Sequence, residues 1–132
     1  NPAANAGVIC KKIIMDQDFE VEIYAPEGLS LLKDFLPQCP IELALEENEV
    51  GELVLRQKVG SQIAGFEFEA HEGCVYVFLL YVTHKSIKPA SYIIPAFSAF
   101  LKTANVPHKI TEILHEVDFD ELWVEYEWPK NT

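Results

Sequence analysis

The chain has 132 residues, which suits one domain of roughly 100–200 residues rather than two separate cores. Asp and Glu number 21 against ten Lys and Arg, a net charge of −11; nucleic-acid phosphates and anionic membrane surfaces repel such a chain, while a basic protein is attracted to it. Apolar residues make up 49%, with eight Phe, five Tyr and two Trp, enough bulk for a core and too much for a disordered chain.

The densest apolar run, residues 74–82, falls well short of the ~18 residues of a membrane-spanning helix. Cys10, Cys39 and Cys74 stand singly, without a CxxC pair. An odd number of isolated cysteines argues against a disulfide framework and for a reducing compartment, which gives a cytoplasmic expectation. Solubility alone accounts for an acidic balance of this kind, so the placement of the acids along the chain carries more information than their number.

Residues 1–7 are small and polar and read as a disordered lead-in; residues 8–130 read as a single α+β domain. Residues 8–15 have strand character. In residues 19–24 Phe19, Val21 and Ile23 alternate with Glu20 and Glu22, the two-residue period of a half-buried strand. The turn-like Asp16-Gln17-Asp18 between them predicts a hairpin. After Pro26-Glu27-Gly28, the spacing of Leu29, Leu32, Phe35 and Leu36 predicts a short helix that Pro37 ends. Ile41, Leu43 and Leu45 then alternate with Glu42 and Glu46, and residues 52–57 return as their partner across Asn48–Gly51.

The clearest hairpin joins residues 63–70 to 74–83 through His71-Glu72-Gly73. Phe66 and Phe68 share one phase, Glu67 and Glu69 the other. The second strand is apolar in both phases, as for a strand in the middle of a sheet covered on both faces. Ile93, Phe97, Phe100, Leu101 and Ala104 form a helical stripe over residues 91–104, with Pro95 placed in the first turn and Asn105 and Pro107 closing it. Residues 109–117 fit a helix face through Ile110, Ile113, Leu114 and Val117, although their β-branched content also suits a strand; the helix is preferred. Residues 121–128 alternate cleanly, with Leu122, Val124, Tyr126 and Trp128 against Glu121, Trp123, Glu125 and Glu127. The fold class is therefore α+β, a largely antiparallel sheet of about six to eight strands with two or three helices on one face.

The search for chemistry assigns no catalytic residue, metal site or cofactor. His71 is close enough in sequence to reach Cys74 across a turn, but a small cysteine at the start of an apolar strand is far more often structural. His84 lies about 33 Å further along the same strand at ~3.3 Å per residue. His71, Glu72, Cys74, His84, His108 and His115 match no zinc spacing. The Glu112-x-x-His115 pair occurs once, whereas a di-iron bundle needs it twice among further helical carboxylates. No phosphate-binding glycine loop and no GxSxG elbow is present.

One pattern remains. Glu20 and Glu22, Glu42 and Glu46, Glu67 and Glu69, and Glu121, Glu125 and Glu127 occupy the polar phases of their strands, with Arg56 almost the only base among them. Like charges side by side are unfavourable in a sheet, so a carboxylate-covered face points to use, and Trp123 in the same phase would be its aromatic anchor. The expectation is a small acidic protein-binding module that is not an enzyme. Its basic protein partner would meet Glu67, Glu69, Glu121, Trp123, Glu125 and Glu127, in the manner of immunity proteins and inhibitors that mask a nuclease toxin. It binds neither nucleic acid nor membrane. Two alternatives stand beside it: an oligomeric adaptor or secretion chaperone, and a small enzyme or ligand-binding domain with a helix–sheet pocket lined by Phe97, Phe100 and Tyr81.

Overall fold

The computed structural model describes residues 16–58, 64–113 and 125–130. In the first strand, β1 (Gln17–Tyr24), Phe19, Val21 and Ile23 are completely buried and Glu20 and Tyr24 exposed, as their alternation predicts. Six more strands follow: β2 (Leu43–Glu47), β3 (Leu53–Gln57), β4 (Gly65–Glu72), β5 (Val75–Val82), β6 (His108–Ile113) and β7 (Glu125–Trp128). All pairings are antiparallel.

The predicted single sheet of six to eight strands is divided. Five strands form one sheet in the order β4-β5-β1-β6-β7, and β2 and β3 form a second, two-stranded sheet. A bulge between Phe68 and Ala70 breaks the register of β4, interrupting the row of outward backbone groups that a further strand would need. β3 consequently lies beside β4 without joining its ladder, and the Gln57 side-chain amide reaches the Ala64 carbonyl there.

Three other expectations change. The middle of the large sheet is β1, and β5 is second from the edge. Because β5 and β6 occupy both edges of β1, no hairpin partner can pair beside it in this sheet; residues 8–15 themselves lie outside the described residues. The segment beginning at Lys109 is a strand, not a helix, as far as Ile113, with residues 114–117 outside the described residues. Its β-branched Ile110, Thr111 and Ile113 favour that state, and β1 offers it an edge.

The hairpin turn between β4 and β5 is Gly73-Cys74 rather than His71-Glu72-Gly73, since both His71 and Glu72 remain in the ladder. Gly73 takes φ +62°, which a two-residue hairpin turn requires and a glycine supplies without strain. The helix after Gly28 is a 3-10 helix, Leu29–Gln38, running one residue beyond Pro37. Leu29, Leu32 and Phe35 recur every three residues, matching its three residues per turn; the first two are fully buried and Phe35 partly so.

Helix α1 (Ala90–Thr103) buries the predicted stripe, including Ile93, Phe97, Phe100 and Leu101. Pro95 is its sixth residue, beyond the first turn where it was expected. The helix ends in a Schellman motif: Val106 N–H donates to the Leu101 carbonyl and Asn105 N–H to that of Lys102, with Asn105 at φ +61°. Both helices pack into one core with a single face of the large sheet, where Phe66 stacks on Phe78 at 4.8 Å and meets Phe97 at 5.7 Å. Among the described residues no helix is long and apolar enough to cross a membrane.

Candidate protein-binding face

Since the helices take one face of the five-stranded sheet, the register determines what the other face presents. Three rows of four or five residues cross it, beside a shorter one of Glu72, Val75 and Tyr24. Glu67, Leu79, Glu20 and Thr111 are successive cross-strand neighbours, and Glu125 continues this row as the residue opposite Thr111. Ala70, Val77, Glu22, Lys109 and Glu127 form the next row, and Gly65, Tyr81, Asp18 and Ile113 the third. No described helix packs on this face.

The acids therefore stand in columns rather than as a continuous carpet. β4 contributes Glu67 and Glu72, β1 contributes Asp18, Glu20 and Glu22, and β7 contributes Glu127. Between the first two columns runs the apolar phase of β5, Val75, Val77, Leu79 and Tyr81, all half-buried. Between the second and third, β6 places Lys109, Thr111 and Ile113. With strands ~4.8 Å apart, neighbouring acid columns are about 10 Å apart, close to one screening length at physiological salt. This spacing reconciles the acids with a stable sheet.

Tyr81 lies flat over Gly65: a Cβ at that position would fall 1.8 Å from the Tyr81 ring. The glycine thus provides a platform for an aromatic ring on the open face, and the Tyr81 hydroxyl reaches Glu67 at 3.4 Å. That carboxylate, together with burial as the larger cause, holds the Tyr81 phenol above its ordinary range.

Of the residues singled out from sequence, Glu67 and Glu127 share this face. Glu69 is exposed but sits in the β4 bulge without a register partner. Glu125 holds its place in β7 opposite Thr111, whereas Glu121 and Trp123 lie outside the described residues. Glu46 belongs to the two-stranded sheet, where it meets Arg56 at 3.6 Å, and Glu42 directly precedes β2. Sequence reasoning left Asp18 and the apolar β5 column out of the site. A strand that is apolar in both phases beside two acidic ones was the available signal.

The histidines and cysteine considered for chemistry have structural surroundings. His71 contacts the Glu52 carboxylate through Nδ1, donates from Nε2 to the Gly73 carbonyl at 2.9 Å and stacks on Tyr76 at 3.8 Å. Both ring nitrogens are thereby engaged away from Cys74. The histidine contact, as the main cause, holds the Glu52 carboxyl below its ordinary range. His84 donates its backbone N–H to the Asp16 carboxylate and meets the same oxygen with its ring. Burial pushes the Cys39 thiol up to about 12, leaving it protonated and unreactive at neutral pH.

Ser98 and His108 form a pair that spacing did not reveal. His108 Nδ1–H donates to the Val106 carbonyl at 2.8 Å, so Nε2 accepts from the Ser98 hydroxyl, also at 2.8 Å. Such a tautomer could activate a hydroxyl, but the two residues are only 3% and 4% exposed. They tie α1 to β6 inside the core, and burial holds the imidazole below its ordinary range. Among the described residues no three His, Cys, Asp or Glu side chains converge as a metal site.

The helix–sheet pocket predicted from Phe97, Phe100 and Tyr81 is not formed by those residues. Phe97 and Phe100 are packed in the core, while Tyr81 is on the opposite face of the sheet. A cavity of about 880 Å³ lies elsewhere, between the 3-10 helix and β2. No family model matches the chain, and no curated protein or solved structure matches it significantly.

Proposed function

We propose that this chain is a small acidic protein-binding module that docks the open face of its five-stranded sheet onto a basic surface of another protein. The carrying observation is the register: acid columns on β4 and β1 flank the half-buried apolar column of β5, with Glu127 beyond. An interface needs an apolar centre that loses water and a charged rim that steers encounter, and this face supplies both. An immunity protein or inhibitor of a nuclease toxin fits the chemistry, its carboxylates standing where substrate phosphates would sit. The cytoplasm suits the free Cys39 and Cys74 thiols. The oligomeric-adaptor alternative is weaker, because two copies meeting through this face would set acid columns against acid columns.

The test is kinetic. The partner is identified by co-purification from the native source, and its association is followed across ionic strength for the parent chain and for Glu20→Lys/Glu22→Lys/Glu67→Lys. Two of these residues are exposed and Glu22 half-buried, so the fold tolerates the change, and circular dichroism checks it. The variant should associate at least about tenfold more slowly, with a flatter salt dependence. Identical rates at every ionic strength would sink the reading.

A further inference from the structure

The two-stranded sheet leaves one edge of β2 without a described partner strand. Lys58 N–H donates to the Glu42 carbonyl at 3.0 Å and Asn48 N–H to the Glu52 carbonyl at 2.8 Å. With the register Leu43↔Gln57 to Glu47↔Leu53, antiparallel alternation puts the bonded pairs at residues 42, 44, 46 and 48. The N–H and C=O groups of Leu43, Leu45 and Glu47 therefore point away from β3, and no described strand pairs with that edge.

The cavity of about 880 Å³ is lined by Leu43, Ala44 and Leu45 of β2, together with Leu53 of β3 and residues of the 3-10 helix. Leu36, Ile41, Leu43 and Leu45 give it apolar walls, and its charged lining is Lys33 and Lys58 against the single carboxylate of Glu42. In a chain with ten basic residues and 21 acidic ones, two lysines against one carboxylate at one groove are a local reversal of the charge balance. The contrast with β4 is informative. That edge carries a bulge and the exposed Glu67, Glu69 and Glu72, devices that discourage strand addition. The β2 edge has no bulge, and its exposed Glu42, Glu46 and Glu47 flank the Leu43–Leu45 stretch rather than interrupt it.

We propose that this groove binds an extended peptide of alternating apolar and acidic residues, which adds as a third strand to β2. The backbone groups of Leu43, Leu45 and Glu47 would hold its main chain. Its apolar side chains would enter the groove, and its carboxylates would meet Lys33 and Lys58. Backbone groups that no described strand pairs with favour a peptide over an anionic amphiphile, which could use the apolar walls and the lysines but not the edge. The site is independent of the open face of the large sheet.

A six-residue peptide of alternating valine and glutamate, capped at both ends, is the probe. It is titrated into the full chain with residue-resolved amide exchange, beside decanoate and a peptide N-methylated at alternate residues. The Leu43, Leu45 and Glu47 amides should exchange rapidly in the free chain and become protected by the unmodified peptide. N-methylation should abolish that protection, and Lys33→Glu/Lys58→Glu should weaken binding about tenfold. Three results would overturn the proposal: protection of these amides before any peptide is added, no protection at millimolar peptide, or displacement by decanoate with an unchanged affinity for the N-methylated peptide.

Discussion

Glu112 faces the core of a sheet whose other inward residues are almost all apolar or aromatic. One carboxylate oxygen accepts from the Gln17 amide at 3.3 Å, while the other is buried with no partner among the described residues. Burial, as the larger cause, holds this carboxyl above its ordinary range, with the Gln17 bond opposing it. The sign follows from linkage. A raised folded pKa means that the native state keeps the proton longer, so stability falls as pH rises from the unfolded toward the folded value and stays lower above it. Glu112→Gln should therefore raise the urea midpoint at pH 7, and the difference should vanish below pH ~4, where both states are protonated. Urea titrations at the two pH values check this; a gain that is the same at both would mean that ionisation is not the cause. The Glu52 carboxyl, held down by His71, acts in the opposite direction and loses its contribution as pH falls.

At the scale of elements, α1 is terminated by local chemistry and held by distant packing. Asn105 sits at φ +61°, a conformation in which a Cβ costs about 1–2 kcal/mol unless the side chain compensates locally. Asn105→Ala should lower the unfolding free energy by about 1 kcal/mol and Asn105→Gly should leave it nearly unchanged, as measured by denaturant unfolding. Equal losses in both variants would place the contribution in the asparagine side chain rather than in the backbone.

The same helix shows what a sequence can disclose. Ile93, Phe97, Phe100 and Leu101 repeat with the helical period, so their burial is visible without a structure, as is that of Phe19, Val21 and Ile23 in β1. The segment starting at Lys109 was not decidable, because Ile110 and Ile113 fit both periods and only the free edge of β1 selects the strand. The division into two sheets accompanies a bulge in β4, which no spacing marks. For the site, the phases of Glu67 and Glu127 were legible from alternation. The column Val75, Val77, Leu79 and Tyr81 was not, because β5 is apolar in both phases and the choice of open phase depends on which face the helices take. The Ser98–His108 pair joins two elements whose relative placement is tertiary.

For the whole molecule, part of a net charge of −11 stands on the open face of the large sheet, in columns separated by apolar and mixed strands. This permits close approach of a cationic surface without forcing carboxylates into contact with one another. The helices and the core Phe66–Phe78–Phe97 cluster support that face from behind, so it presents a rigid surface, and rigid surfaces lose little entropy on docking. The most direct measurement of the central claim is an amide chemical-shift map of the chain bound to its co-purified partner. The largest changes should fall on Glu20, Glu22, Glu67, Val77, Leu79 and Tyr81. A footprint confined to α1 or to the groove beside β2, with these residues unmoved, would contradict it.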